Sequence, residues 1–199
     1  MLFRSPDFAP TAPIAMPSRW SGLIADRTAP PAALTNGPTL GEIATFTADF
    51  RDQYYGLVGC VSDDADGPPL ITSGLIEPGE CLWGVRATRF AKQPYAAPRV
   101  DLAALDPALQ RWAQQRLVPK ILIANQTRTI EAVFDERGAW LPSVPVITCV
   151  TAEPDRVLRV LSSQAANDWV RYHAAGSGLS ASAVRLSARL LASIPLPVE

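Results

Sequence analysis

The chain has 199 residues, 48 % hydrophobic and 19 % charged, with a net charge of −1, the composition of a globular protein long enough for one sizeable domain or two small ones. No run approaches the roughly eighteen consecutive apolar residues of a membrane span, and "MLFRSPDFAPTAP" lacks the apolar stretch of a signal peptide, so the chain is expected to stay in the cytoplasm, off the membrane. Cys60, Cys81 and Cys149 are odd in number and widely spaced, and His173 is the single histidine, which argues against a disulfide framework and a Cys/His metal site.

The small net charge hides an asymmetry. Residues 1–83 sum to −6, residues 84–137 to +4 and residues 138–199 to +1. A local basic excess of this size fits a phosphate-facing patch and an ordinary solvated surface equally well.

Along the chain, residues 6–38 carry much of the proline, in "APTAPIAMP" and "TAPPAALTNGP". Such a segment cannot sustain helix or sheet ladders, so residues 1–38 are expected to form an extended, partly disordered arm, with a single domain over 39–199. In "TLGEIATFTADF" Thr39 and Glu42 stand at capping-box spacing, which suits a helix, while Ile43 to Ala48 suits a strand just as well. "DDADGPP" (63–69) reads as a loop and "LITSGLIEPGE" as a short strand between turns. In "DLAALDPALQRWAQQRLVP" Asp106 caps a helix, Pro107 takes its first position, Leu109, Trp112 and Leu117 form the apolar stripe, and Pro119 stops it.

Next comes "KILIANQTRTIEAVFDERGAWLPSVPV". Ile121 to Ile123 form a strand, Ile130, Ala132 and Phe134 alternate in a second, Gly138 turns the chain, and "VPVITCV" returns as a buried strand. Between the first two lie five polar residues, Asn125 to Thr129, which are either a solvated edge or a surface that reads something. The last third reads as three helices: one opened by Pro154 with Val157, Leu158 and Leu161 inward, one over "QAANDWVRYHAAGSG", and one over "SASAVRLSARLLASIPLP" ended by Pro195.

The chain has no GxxxxGK[ST] phosphate loop, no G-x-G-x-x-G after a strand, no H-E-x-x-H and no G-x-S-x-G. No catalytic constellation can be named, and His173, in a helix beside apolar neighbours, lacks a visible partner for general-base work.

Three stretches in order, "LGEIATFTADFRDQYYG" with "LITSGLIEPG", then "VPKILIANQTRTIEAVFDERG", then "VLRVLSSQAANDWVRYHAAGSGLSASAVRLSARLLASIPLP", resemble the C-terminal target-recognition region of adenine-specific DNA methyltransferases and of single-chain type II restriction-modification enzymes. The resemblance covers about residues 39–197. Pro119, Lys120, Asn125 to Arg128 and Asp135 to Gly138 follow the second motif of that family, and Trp169, Gly176 to Gly178 and Ile194 to Pro197 the third. The catalytic half is missing, with neither an N-P-P-[YF] motif nor a glycine-rich S-adenosylmethionine loop in the sequence.

The resemblance implies an α+β domain, with a central, mostly antiparallel β region framed by the 106–117 helix and a C-terminal helical group. It also implies a non-catalytic module that binds double-stranded DNA for a restriction-modification or phage-defence methyltransferase. A partner chain would supply catalysis and hold S-adenosylmethionine, leaving no cofactor here. In that reading Asn125, Gln126, Thr127 and Arg128 read base edges, since Arg suits guanine and Asn or Gln suits adenine. Arg86, Arg89, Lys92 and Lys120 hold phosphate, and Ser177 in "GSGLS" approaches it. Phe90 and Tyr95 stack on a base or pack in the core, and Tyr54-Tyr55 pack at an element end or touch a flipped base, packing being favoured for both pairs. Two other classes stay open: a stand-alone interaction module of the same fold, and an enzyme whose site the sequence does not reveal.

Overall fold

The computed structural model describes residues 37–49, 51–174 and 183–197. In chain order the elements are α1 (Leu40–Ile43), β1 (Ala44–Ala48), α2 (Arg51–Leu57), β2 (Val61–Ser62), β3 (Leu70–Ile71), a 3-10 turn (Ser73–Leu75), β4 (Ile76–Glu77) and β5 (Glu80–Cys81). There follow β6 (Thr88–Phe90), β7 (Gln93–Tyr95), β8 (Arg99–Val100), α3 (Pro107–Arg116), β9 (Lys120–Ile123), β10 (Gln126–Thr127) and β11 (Ala132–Asp135). The chain then runs through β12 (Leu141–Pro142), β13 (Ile147–Thr151), α4 (Pro154–Ser162), α5 (Gln164–His173), β14 (Val184–Arg185) and α6 (Ala188–Ala192). The mixture is α+β, as the sequence led one to expect.

The frame is a four-stranded sheet in the order β1-β13-β9-β11, antiparallel at every pairing. β9 is buried along its whole length, and β13 is buried from Ile147 to Cys149, the pattern of strands at the centre of a covered sheet. Ile121, Ile123, Ile147 and Cys149 face Val157, Leu161, Trp169 and Leu191 from the C-terminal helices. Leu122, Val133 and Val146 face the opposite way, onto Ile71, Leu75 and Ile76. A third apolar cluster, built on Leu57, Phe90, Leu109 and Trp112, ties α2, β6 and α3 together beside the sheet. Each fully buried aliphatic side chain contributes about 1.5–3 kcal/mol relative to exposure.

Local signals act largely as the residues suggest. The Asp106 carboxylate accepts from the backbone N–H of Ala108 and Leu109, Pro107 opens α3, and the helix ends at Arg116. The ambiguous stretch at residue 40 satisfies both readings. The Glu42 carboxylate accepts from the Thr39 N–H at 2.7 Å and closes one helical turn, after which Ala44 to Ala48 pair with β13. Around Gly138 the backbone has φ 64°, and a Cβ there would fall 2.4 Å from the carbonyl carbon of Val118. Only glycine fits that turn.

The expected third C-terminal helix is corrected. Val184-Arg185 leaves the helical pattern to pair antiparallel with Gln126-Thr127, and only Ala188–Ala192 is helical, capped by the Ser187 hydroxyl, which accepts from the Leu190 N–H. The apolar alternation of Val184 and Leu186, both buried, prevails over the helix-forming composition around it.

This pairing answers the question raised by Asn125 to Thr129. The run is a small ribbon, docked on the C-terminal segment through the Leu186 N–H to the Asn125 carbonyl at 2.7 Å. Within it Thr127 is buried, Asn125 is half-buried, and Gln126, Arg128 and Thr129 are exposed.

Candidate nucleic-acid interface

A cleft of about 480 Å³ opens between the third apolar cluster and the end of the sheet. One wall is the β6–β7 hairpin, in which Thr88 pairs with Tyr95 and Phe90 with Gln93. Ala91 and Lys92 make the connection with φ 48° and 68°. Two-residue hairpins favour positive φ at both central positions because that twist matches the strands, and the conformation suits Asn-Gly far better than Ala-Lys. Here Phe90 anchors the turn by burial, and the Arg89 guanidinium donates to the Lys92 carbonyl at 3.3 Å. The turn holds Lys92 at an exposed tip with Arg89 beside it.

The opposite wall is Asn125 and Gln126, at the point where the chain leaves β9. The Asn125 amide donates to the Leu186 carbonyl at 3.3 Å, which leaves its oxygen free to accept, while Gln126 is exposed. Between the walls lie Ser73, Thr72 and Thr88, the last two joined hydroxyl to hydroxyl at 2.5 Å, together with Ser143 to Pro145. Tyr54 of α2 closes one end, its ring 5.0 Å from Phe90 and 5.4 Å from Tyr55.

The lining includes two cations, Arg89 and Lys92, and neither an aspartate nor a glutamate. Hydroxyls, side-chain amides, an aromatic ring and two positive charges compose a surface suited to an anion bearing hydrogen-bonding edges. It contains no carboxylate or imidazole for proton transfer, and among the described residues no group of three or more His, Cys, Asp or Glu side chains converges as a metal site would require.

The cleft therefore unites Arg89 and Lys92 with Asn125 and Gln126, residues that lie more than thirty positions apart in the chain. The other nominated residues are placed elsewhere. Arg86 is exposed but ion-paired to Glu77 at 2.8 Å and bonded to the Gly74 carbonyl. It also neighbours Glu131, whose carboxyl burial pushes up, with Glu77 adding to the rise and Arg86 opposing it. Arg128 is exposed outside the cleft, its carbonyl accepting from Arg171 at 3.4 Å. Thr127 is buried, its hydroxyl donating to the Thr129 carbonyl, so it supports the ribbon and cannot reach a base edge. Ser177 lies outside the described residues.

Lys120 requires a correction. Its side chain is 1 % exposed, and its ammonium donates to Asp135, itself 2 % exposed, at 2.6 Å and to the Val118 carbonyl at 3.2 Å. Burial lowers its pKa, a shift that the Asp135 charge opposes. An ammonium enclosed in this way cannot meet a phosphate, and its role is structural. Lys120 and Asp135 are cross-strand partners in the β9–β11 register, and Asp135 in turn accepts from the N–H groups of Ala139 and Trp140.

The sequence favours packing over base contact for Tyr54 and gives no role to Thr72, Ser73, Thr88 or Ser143. These hydroxyls come from separate turns and strands, so no spacing in the sequence announces them. No helix among the described residues is long and apolar enough to cross a membrane. No protein-family model matches the chain, and no curated protein matches it in sequence.

Proposed function

We propose that this chain is a DNA-binding, target-recognition module of the kind found in restriction-modification and related phage-defence adenine methyltransferase systems, acting without catalysis of its own. One observation carries the reading: Arg89 and Lys92 share a carboxylate-free cleft with Asn125 and Gln126. Cations neutralise phosphate and set register, and side-chain amides bond in pairs to the edge of adenine, so phosphate binding and edge reading fall within one cleft. S-adenosylmethionine and the transfer chemistry would belong to a partner methyltransferase or restriction subunit.

A site-selection experiment on a random duplex library tests the reading. Enrichment of a short motif by the native chain, relaxed at one or two positions by Asn125→Ala/Gln126→Ala, is the expected result. A folded protein that enriches no motif, alone or mixed with a methyltransferase subunit, would remove sequence recognition and favour an interaction module.

A further inference from the structure

We infer that the cleft takes one unstacked nucleotide of a DNA strand, its phosphate against Arg89 and Lys92 and its base edge against Asn125 and Gln126; the inference rests on the cleft being the DNA-binding surface. The shape of the site leads to it. Reading stacked base pairs requires an element that projects into a groove, a helix or a two-stranded ribbon. Here the β6–β7 hairpin presents cations at its tip, while Asn125 and Gln126 line the concavity behind it, within reach of a base that leaves its stack.

The cleft has the parts such a nucleotide needs. Tyr54 lines the cleft, its ring held by a tilted contact with Phe90 and a T-shaped contact with Tyr55. Stacking on a fixed ring is indifferent to sequence and contributes about 1–3 kcal/mol per base. Ser73, in the lining, carries a buried hydroxyl oxygen with no hydrogen-bond partner among the described residues. Buried polar groups are rarely left so, and this hydroxyl can bond a group that enters the cleft. The hairpin tip that carries Lys92 keeps two non-glycine residues at positive φ, a conformation that costs energy and persists where geometry is held for use.

Fluorescence anisotropy of a labelled random single strand and of its duplex, at equal salt and with the full chain, tests the inference. The expected result is tighter binding of the single strand by about tenfold, with Tyr54→Leu and Asn125→Ala/Gln126→Ala each weakening the single strand by about tenfold and the duplex by less than about twofold. Because Tyr54 packs against Phe90, the amide variant stands as the second probe if Tyr54→Leu melts early. Deoxynucleoside monophosphates form a competition arm. Displacement that depends on Tyr54 supports the cleft's preference and shows that a free nucleotide suffices, whereas equal displacement by inorganic phosphate overturns base recognition. Equal affinity for duplex and single strand, with both variants inert, overturns the inference and leaves DNA binding standing. No binding to either form at low salt removes both.

Discussion

Removing Lys120 from its buried pair should destabilise the fold without touching DNA binding. Lys120→Met leaves the Asp135 carboxylate 2 % exposed, supported only by the Ala139 and Trp140 N–H groups at 3.0 and 2.9 Å. Breaking one side of a buried ion pair costs about 3–5 kcal/mol. Asp135→Ala should cost about 2 kcal/mol more, since it strands the ammonium with one carbonyl and also frees two N–H donors at the Gly138 turn. In Lys120→Met/Asp135→Ala neither charge is left stranded, and the loss should fall short of the summed single losses by about 2 kcal/mol. Urea unfolding at neutral pH, followed by tryptophan fluorescence with Trp140 beside the pair, reads these differences against a total of about 5–15 kcal/mol. A Lys120→Met protein within about 0.5 kcal/mol of the native chain, or single losses that simply add, would refute the reasoning. If the folded Lys120→Met variant lost salt-dependent DNA binding, the phosphate role would return.

Cys149 is fully buried, and burial pushes its thiol up to about 12. The folded state therefore holds that proton more tightly than the unfolded chain, so stability is full below the ordinary thiol value of 9.0 and is lost as pH climbs toward 12, by on the order of 4 kcal/mol. Urea melts across that window should show a steeper fall for the native chain than for Cys149→Ala, and equal slopes would contradict it. Gly138→Ala drives a Cβ into Val118 at a positive φ and should cost about 3 kcal/mol in the same assay. Ala91→Gly relieves the strained hairpin position but removes a methyl packed on the third apolar cluster, and should change stability by no more than about 1 kcal/mol. A marked loss in thermal melting would show that the packing of the methyl outweighs the backbone strain.

Much of the frame was legible because short-range rules govern it. Asp106 and Pro107 start α3, Thr39 and Glu42 close α1, and the apolar runs of β9 and β13 demand a place at the centre of the sheet. Long-range pairing decided the rest. Val184-Arg185 reads as helix by composition and becomes strand because Gln126-Thr127 needs a partner. Lys120 reads as a surface cation until register sets it opposite Asp135. The basic residues of the middle segment looked alike in the sequence, yet geometry sorts them: Arg86 among acidic neighbours, Lys120 in the core, Arg89 and Lys92 at the cleft. The amides of Asn125 and Gln126 stood out as a polar break after an apolar strand. The hydroxyls and Tyr54 did not, because four separate segments meet only in the folded chain.

The most direct test of the cleft as a DNA-binding surface is the affinity of the purified chain for random duplex DNA across a salt series, beside Arg89→Ala/Lys92→Ala. If the two cations neutralise phosphates, the slope of log affinity against log salt should become shallower by about 1.8 in the variant, with weaker binding at every salt concentration. An unchanged slope and affinity in a folded variant would contradict the assignment and move any DNA contact away from this cleft.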